Sequence, residues 1–543
     1  MRRARQIVRH IPLAAVLLLA LALRLHGVGF GLPALNDPDE PLFVMTALEM
    51  LRNHSLNPGW FGHPGTTTLY CLALISLLVG VVGIATGRFA DTHALVSAIY
   101  ADPGIIFLPG RLFIVACGVA CVLLIYRTGA RMGDRRLGLL AAFFLAINAV
   151  HIEYSQIIRT DVQASVFMLM ATLSSIAILR EGRRRDYLLA GICVGLACAT
   201  KWPAATIVLS PLCAGLVRVR DDRGAIIDVA LLLVASVATL FLVSPYLLLD
   251  FHTVLYDLAG EARPLHPGAT GSGFFGNFAW YIGNPLLSSL GLAGLVLAGA
   301  GFVAMAARDT RMSVAVLPGP LLFLVVICGQ SLVWERWVVP LLPFIALALA
   351  YALRRASDLF ARVFGGHGRA FEGVTAAFLS VAMLQSAWTS VAVRQNDTRQ
   401  MATSWVRANV PPGSTILVEH AAFDLFRGPW QLRFPIGSAG CVDVRAALGG
   451  HIRYSRVEKL RAGRPVVDIG YVEPSQLKTC AADYAVFSHY TRYLEDGGAF
   501  AAQRARYRAL MRGGVIQAVI RPTPEYSSGP EIVIVKMARD PVR

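Results

Sequence analysis

The chain has 543 residues, of which 55% are hydrophobic and only 15% are charged. Its apolar residues form runs that are too long for a water-soluble core, which excludes an ordinary soluble enzyme and predicts a polytopic α-helical membrane protein. The formal net charge of +16 does not indicate a nucleic-acid-binding protein. The basic residues instead form short clusters between the apolar runs, as in the cytoplasmic loops of membrane proteins.

The first apolar run, 11–23, follows four arginines. Both a cleaved signal peptide and a membrane anchor have this pattern. No small-residue cleavage motif follows at the expected distance, and apolar residues resume at 28–35. We therefore expect an anchor with a cytoplasmic N-terminus. Under either interpretation, the segment that follows lies outside the cytoplasm.

Ten further apolar runs predict additional crossings, so that we expect eleven in total, some of them short and tilted. They lie at about 105–126, 137–150, 162–179, 187–200, 203–217, 226–247, 284–306, 314–333, 338–354 and 372–392.

The connecting loops set the orientation, because arginine clusters occur at every second connection and should be cytoplasmic. These clusters are Arg127/Arg131/Arg135/Arg136, Arg180/Arg183/Arg184/Arg185, Arg218/Arg220/Arg223, Arg308/Arg311 and Arg354/Arg355/Arg362/Arg369. A further apolar run, 69–84, would reverse this order if it crossed the membrane. We therefore expect it to lie in or against the outer leaflet, within a first outer loop at 36–104.

This topology predicts a multi-pass protein of the bacterial inner membrane, with a transmembrane domain at 1–392 and a periplasmic domain at 393–543. The second region is polar and contains the short β-rich runs TILVEH, YAVFSHY and EIVIVKM, which predict a soluble α/β domain led by an amphipathic helix at 398–409. Two of the nine cysteines, Cys441 and Cys480, lie in this region and could pair in an oxidising compartment.

Three carboxylates follow the first apolar run in the stretch NDPDEPLF, namely Asp37, Asp39 and Glu40. A helix that begins at Pro41 explains part of this pattern, because Asp39 or Glu40 can cap its N-terminus. One acid suffices for a cap, and three acids beside a membrane exceed that need. Carboxylates at this depth are costly unless they are partnered, so basic residues should converge on them.

Other outward turns carry candidate partners. The turn HIEYSQIIRTD contains Glu153, Arg159 and Asp161, whereas Arg336 lies in WERWVVPLLP. Lys201 is the only lysine in the first 450 residues. Snorkelling to the interface would explain either Lys201 or Arg336 alone. Acids and cations together at one membrane face predict a site for a phosphorylated lipid and a hydroxyl nucleophile.

The order of these motifs resembles the GT-C superfamily of integral-membrane glycosyltransferases, and within it the protein O-mannosyltransferase and aminoarabinose transferase branch. The similarity is carried by the Asp-Glu pair after the first membrane helix, by FGHPGTTTLY, and by the stretch from RLFIVACG to IIRTD. It extends over roughly residues 8–355 and is strongest at 37–161. The C-terminal domain is similar to its bacterial counterparts only in position.

The resemblance implies a polyprenyl-phosphate-linked sugar donor, an acceptor hydroxyl on the periplasmic side, and inversion at the anomeric carbon. It implies Asp39 as the catalytic base, with Glu40 and Asp161 as further catalytic-site residues. Lys201 and Arg336 are matched to the basic residues that face the lipid phosphate. Such a site would also contact membrane lipids, and no nucleic acid is expected as a partner.

The sequence departs from the mannosyltransferase pattern at Asp37, which makes DPD and resembles the metal-binding DxD of the oligosaccharyltransferase branch. We expect no required cofactor, with Asp37 and Asp39 as the candidate ligands if a divalent cation is used.

Two outer loops are candidates for substrate contacts. His63, with Trp60 and Phe61, either lines the sugar pocket and guides the polyprenyl chain or seats the loop on the membrane surface. The glycine-rich loop 261–281 is either a mobile lid or an ordinary connection. The predicted substrate-binding set is Asp37, His63, Glu153, Arg159, Lys201 and Arg336.

The chemistry agrees with this interpretation, because a phosphate-activated sugar needs a base for the acceptor proton and a cation for the leaving phosphate. The predicted function is transfer of a hexose or pentose to a glycan, lipid or protein hydroxyl. A lipid or sugar transporter is the alternative, but no second copy of the acid pair suggests the internal repeats typical of transporters. A non-catalytic assembly subunit would give no reason for the acids.

Overall fold

The computed structural model describes residues 2–62, 65–262, 264–419, 424–437, 440–443, 468–495 and 498–538, with side chains from residue 11 onward. A helical part comes first and a sheet domain follows. The helices of the first part are α1 (Arg2–Leu25), α2 (Glu40–Arg52), α3 (Thr66–Ala85), α4 (Thr92–Ala101), α5 (Gly104–Arg131), α6 (Arg135–Ala146), α7 (Ala149–Tyr154), α8 (Thr160–Arg180), α9 (Arg184–Thr200), α10 (Leu209–Asp221), α11 (Ala225–Val243), α12 (Tyr246–Leu249), α13 (Phe251–Glu261), α14 (Phe274–Tyr281), α15 (Leu287–Arg308), α16 (Thr310–Val316), α17 (Pro318–Cys328), α18 (Leu342–Val363) and α19 (Gly368–Gln395).

Short non-α segments extend several of these helices. The 3₁₀ segments Trp202–Val208 and Glu335–Leu341 lead directly into α10 and α18, and the π-helical segment Ile282–Leu286 joins α14 to α15. Counting these extensions, eight helical segments in the described residues are long and apolar enough to cross a membrane. They are Thr66–Ala85, Gly104–Arg131, Thr160–Arg180, Trp202–Asp221, Ala225–Val243, Phe274–Arg308, Glu335–Val363 and Gly368–Gln395.

The pair α16 and α17, bent by 50°, gives a ninth span if it is taken as one. Three of the predicted crossings, 11–23, 137–150 and 187–200, lie in α1, α6 and α9, whose apolar parts are shorter. The 12 residues of α6 extend over about 18 Å at 1.5 Å per residue. This length is less than the roughly 30 Å of a hydrocarbon core, so α6 alone does not span it.

The segment 69–84, expected in the outer leaflet, forms α3, which is long enough to cross. However, the chain enters α3 and leaves α4 at the same end of the bundle. The amide of Gly65, just before α3, donates to the carbonyl of Thr200 at 3.3 Å. After α4, the chain returns to lie beside Leu32 at Gly104, where α5 begins. The order of the later helices is therefore the same whether or not α3 enters the bilayer.

The arginine-rich connections meet at the other end of the bundle. Arg354, in the second half of α18, bonds Asp134 in the α5–α6 turn at 2.8 Å and Glu372 in α19 at 2.7 Å. Arg311, at the start of α16, pairs with Asp221 at the end of α10. These pairs join loops that the sequence predicts to be on one side of the membrane.

The bundle is packed around α18, which is the most completely buried of the long helices. Glycines permit the closest approaches. Gly301 of α15 lies directly against the carbonyl of Ala348 in α18, and Gly129 of α5 faces Gly138 of α6, so neither pair leaves room for a Cβ atom. Helices that approach so closely gain contacts along their backbones, which suits association inside a bilayer.

The sheet domain begins with α20 (Thr398–Asn409), the amphipathic helix that the sequence predicts. The strands are β1 (Thr415–Val418), β2 (Gln431–Pro435), β3 (Cys441–Asp443), β4 (Tyr484–Phe487), β5 (Val515–Ile520) and β6 (Ile532–Lys536), with α21 (Arg492–Glu495) and α22 (Ala501–Met511) between β4 and β5. They form one sheet in the order β3-β2-β1-β4-β6-β5, in which β1 is parallel to β2 and β4 and the other pairs are antiparallel.

A disulfide stabilises one edge of this domain, and a polar contact joins the domain to the helical part. Cys441 and Cys480 form a disulfide with their Cα atoms 4.8 Å apart, which fixes the β3 edge of the sheet. Arg399 in α20 donates to the backbone carbonyl of Asn36 and also binds Asp397 at 2.6 Å. Because Asn36 directly precedes the acidic stretch, the sheet domain lies at the same end of the bundle as the three acids.

Candidate functional site

The acidic stretch begins α2, and Asp37 is the residue that caps it. One carboxylate oxygen of Asp37 accepts from the amides of Asp39 at 3.0 Å and Glu40 at 3.2 Å. Asp39 occupies the N-cap position but makes no side-chain cap bond, and Pro41 follows within the first turn. The capping role predicted for Asp39 or Glu40 therefore belongs to Asp37, which leaves the other two carboxylates for different partners.

Asp39 lies in a network with two arginines from distant parts of the chain. One of its oxygens accepts from Arg159, just before α8, and from Arg336 at 2.6 Å. The same Arg159 guanidinium bonds both oxygens of Asp37, at 3.0 and 3.1 Å. The Asp39 side chain remains 35% exposed, whereas those of Arg159 and Arg336 are 11% and 14% exposed. Asp39 is thus the accessible carboxylate of the network.

Glu40, the next residue, is completely buried. Its carboxylate binds Arg111 in two places, from Nη2 at 2.6 Å and from Nε at 2.8 Å, and accepts the amide of Ile158 at 2.9 Å. Arg111 also donates to the carbonyls of Val28 and Phe30. With both partners inaccessible, Glu40 fixes the segment after α1 to α5 and to the turn before α8 rather than facing a substrate.

Asp161 and Lys201 form a second ion pair beside the first network. The ammonium of Lys201, at the end of α9, bonds the carboxylate of Asp161 in the first turn of α8, and both side chains are buried. Asp161 also lies within Coulombic range of Arg336 and Arg159. The structure therefore brings together two acids predicted as catalytic-site residues, Asp39 and Asp161, and three cations predicted to bind substrate, which are Arg159, Lys201 and Arg336.

Aromatic residues and the outer loop support Arg336. Its guanidinium lies 5.2 Å from the ring of Trp334, which contacts the ring of His266 edge-on at 4.9 Å. The loop residue Gly271 donates to the carbonyl of Ser331 at 2.8 Å. The described part of the loop 261–281 is thus attached to the segment that carries Arg336, which favours neither a free connection nor an open lid.

The loop before α3 is seated on α13. The amide of Phe61 donates to Asp257 at 2.7 Å, and Asn57 donates to Asp250 at 2.9 Å. The Phe61 ring is buried against Leu247 and Val254. These contacts agree with the interpretation that the aromatics seat the loop. His63 lies outside the described residues, so its role stays a prediction.

Glu153 points away from Asp39. Its carboxylate accepts from the hydroxyl of Ser390 in α19 at 2.6 Å and lines a separate cavity with Glu335. The other four described substrate-binding candidates, Asp37, Arg159, Lys201 and Arg336, lie in the two ion-pair networks. A single sequence turn, 151–161, therefore supplies two different sites, because α7 ends between Glu153 and Arg159 and redirects the chain.

Sequence reasoning missed two buried arginines that position the site. Arg111 lies inside an apolar run, and the rarity of intramembrane charges could have identified it. Arg24, at the end of α1, donates to the carbonyls of Leu145 and Ala146 and to Nδ1 of His151 at 2.8 Å. It thereby joins the end of α6, whose carbonyls carry the negative end of the helix dipole, to the turn that leads to Arg159.

The two aspartates of the DPD stretch do not fit a divalent cation in this arrangement. The Arg159 guanidinium lies between the carboxylates of Asp37 and Asp39 and bonds both. A cation held by this pair would therefore face a positive charge. Among the described residues, no group of three or more His, Cys, Asp or Glu side chains is arranged to hold a metal.

Three comparisons relate the chain to known proteins. Residues 94–249, less than a third of the chain, match the family model for dolichyl-phosphate-mannose-protein mannosyltransferase. The search of curated proteins found no match. The solved structure of ArnT from Cupriavidus metallidurans in the apo state is similar over 100% of both chains, with a TM-score of 0.53 and 14% identity.

A second similar structure is the oligosaccharyltransferase of Archaeoglobus fulgidus, tethered to an acceptor peptide containing the NVT sequon. The similarity covers 92% of this chain and 72% of that one, with a TM-score of 0.51 and 12% identity. At such identities, both similarities concern the fold. The segment matched by the family model includes Asp161 and Lys201 and ends before Arg336.

Proposed function

We propose, from the premise that this chain has the GT-C fold of integral-membrane glycosyltransferases, that it moves a sugar from a polyprenyl-phosphate-linked donor to an acceptor hydroxyl. The observation that carries this proposal is the environment of Asp39. It is an accessible carboxylate, held by Arg159 and Arg336, beside the buried Asp161–Lys201 pair. A carboxylate that can act as a base and several cations are thus close together in one site.

The cations are the proposed site for the donor phosphate. Arg159, Arg336 and Lys201 carry three positive charges, which Asp37, Asp39 and Asp161 balance in the absence of substrate. An incoming phosphate adds negative charge and competes with Asp39 for Arg336. Arginine forks and a lysine point charge are both suited to bind phosphate oxygens.

Displacement from Arg336 would free Asp39 for catalysis. We assign Asp39 as the base that takes the proton of the acceptor hydroxyl while its oxygen forms a bond to the anomeric carbon. The bond from that carbon to the phosphate oxygen breaks, and the released polyprenyl phosphate keeps the electron pair, stabilised by the three cations. Attack opposite the leaving phosphate gives inversion. Glu40 and Arg111 position the segment, and Asp161 orients Lys201.

The site is proposed to face the periplasm. The arginine-rich loops meet at the opposite end of the bundle, where Arg354 and Arg311 form their ion pairs. An excess of arginine marks the cytoplasmic side of membrane proteins, so the end with Asp39 and the sheet domain is the outer one. A donor in the outer leaflet would reach it directly.

The test is made in a strain that lacks this protein and receives either the wild type or the Asp39→Asn variant. Mass spectrometry of envelope lipids, glycans and proteins should show one sugar mass missing from one class of molecule. The wild type should restore that mass and the variant should not, although immunoblots show equal amounts in the membrane. An unchanged envelope in the deletion strain, or restoration by Asp39→Asn, would contradict the proposal.

A further inference from the structure

A cavity of about 510 Å³, separate from the ion-pair networks of Asp39 and Asp161, lies between the helical bundle and the sheet domain. Its wall is formed by α7, α15, α19, the 3₁₀ segment before α18, and the connection between β5 and β6. Nine of its thirteen lining residues are polar, including Gln385 and five serine or threonine hydroxyls. Three are the carboxylates Glu153, Glu335 and Glu525, and no lysine, arginine or histidine is among the thirteen.

The charge of this cavity is not balanced locally. Within the described part of the chain, no hydrogen bond or ion pair reaches the carboxylate of Glu335. Glu153 accepts one bond, from Ser390, and lies within Coulombic range of Glu335. Like charges in one partly buried space repel each other, so a positive group that entered between them would be attracted by both.

One arginine lies near these acids but is engaged elsewhere. Arg394 is buried behind the wall, donates to Gln156 at 2.5 Å, and packs over the ring of Phe30 at 4.8 Å. Its charge reaches Glu153 and Glu335 at longer range. It therefore offsets the carboxylates in part from behind the wall and is not itself among the residues that line the cavity.

The cavity adjoins the site of the proposed chemistry. Glu335 lines the cavity, whereas its neighbour in the chain, Arg336, bonds Asp39 at 2.6 Å. Tyr154 lies within Coulombic range both of the cavity acids Glu335 and Glu153 and of Arg336. Because Glu335 and Arg336 are consecutive residues, a molecule in the cavity would lie close to the proposed base and phosphate site. The sheet domain covers this side of the site.

We propose that this cavity is the acceptor subsite, and that it selects an acceptor which carries a positively charged group, such as an ammonium, near its reactive hydroxyl. This inference rests on the function proposed above and narrows its acceptor. A phosphate would be repelled by three carboxylates, which separates this cavity from the donor phosphate site. The serine, threonine and glutamine side chains supply hydrogen bonds for hydroxyl groups.

The test uses three small probes with the full chain in lipid nanodiscs and without any donor. Glucosamine carries hydroxyls and an ammonium, N-acetylglucosamine is neutral, and glucose 6-phosphate is anionic. Calorimetry at a pH that keeps the amine protonated should show glucosamine binding at least tenfold more tightly than either of the others. Glu335→Gln should weaken glucosamine binding at least tenfold, and Glu153→Gln less, because Ser390 already bonds that carboxylate.

Two further variants make the result specific. Glu495→Gln removes the same charge from an exposed position in α21 and should leave glucosamine binding unchanged. Asp39→Asn should also leave glucosamine binding unchanged while strongly reducing sugar transfer, so a failure of the proposed chemistry is distinguished from a failure of the cavity. Equal binding of the three probes, or undiminished glucosamine binding by Glu335→Gln, would overturn the proposal.

Discussion

Asp39 and Glu40 are adjacent in the sequence and have opposite environments. The Asp39 side chain is 35% exposed and shares two arginines with other groups, whereas Glu40 is inaccessible and is the one carboxylate bonded to Arg111 among the described residues. Successive residues of a helix point about 100° apart, so the first turn of α2 can direct one acid outward and the other inward. The comparison teaches that the acid pair divides the work: the first residue is available for chemistry and the second fixes the backbone that presents it.

The strongest way to break this comparison is Glu40→Gln, which leaves Arg111 charged and buried without a carboxylate. Removal of one partner of a buried ion pair costs about 3–5 kcal/mol. We expect a large fall in the midpoint of thermal unfolding, measured by fluorescence-detected size exclusion in detergent. Glu495→Gln, at an exposed position, should change stability by no more than about 0.5 kcal/mol. A Glu40→Gln protein of normal stability that has lost transfer would assign Glu40 to catalysis.

The second pair, Asp161 and Lys201, sharpens the comparison because it is buried and yet borders the accessible network. The double variant Asp161→Asn with Lys201→Met removes both charges together, and such replacements of buried pairs are often tolerated. We expect a folded protein whose affinity for a polyprenyl-phosphate donor falls about 10- to 100-fold, since about 1.4 kcal/mol corresponds to tenfold. Unchanged donor affinity would show that Lys201 has only a structural role.

Asp468, in the sheet domain, is a buried acid that forms no ion pair with an arginine of the described residues and accepts a hydrogen bond from Tyr493 instead. Burial, with the nearby Glu419, raises the pKa of Asp468 to about 6, against an opposing effect of His489. Because the folded state holds this proton more tightly than the unfolded chain does, the free energy of unfolding falls as the pH rises from about 4 to about 6. The Asp468→Asn variant keeps an oxygen that can accept the hydrogen bond from the Tyr493 hydroxyl. It should therefore stabilise the domain by roughly 1–3 kcal/mol at pH 8 and little at pH 4. Equal unfolding midpoints of variant and wild type at pH 8 would contradict this account.

The smallest effect is expected for Arg336→Lys, which keeps the charge opposite Asp39 but loses the planar guanidinium next to Trp334. We predict a three- to tenfold fall in transfer rate at unchanged stability, in line with the modest energies of cation–aromatic contacts. Steady-state transfer assays on matched amounts of protein would detect it. A fall beyond a hundredfold would mean that transfer depends on the guanidinium group of Arg336 and not mainly on its charge.

Much of this arrangement could be predicted from the sequence. The GT-C resemblance, drawn from the order of motifs, is confirmed at the level of the fold. The strands in TILVEH, YAVFSHY and EIVIVKM and the helix at 398–409 are also confirmed. The convergence of Asp39, Arg159 and Arg336 followed from placing every outward turn on one face, because charges there need partners.

The remaining features depend on side-chain directions that spacing does not reveal. The sequence does not indicate which of the two neighbouring acids is buried. Arg111 lies inside an apolar run that is typical of a membrane span. Glu153 shares a turn with Arg159, but α7 ends between these two residues. Glu153 therefore lines the cavity between the bundle and the sheet domain. The roles of individual residues in transfer stay predictions.

The central claim is that Asp39 acts on the acceptor proton and not on the binding of the donor. Purified Asp39→Asn in nanodiscs permits both quantities to be measured on one sample: the affinity for a polyprenyl-phosphate sugar and the rate of transfer to an acceptor. We predict donor affinity equal to or higher than that of the wild type, because Arg159 and Arg336 lose a competing carboxylate, and transfer reduced by about 10²–10⁴-fold. Transfer at the wild-type rate, or loss of donor binding together with transfer, would contradict the account.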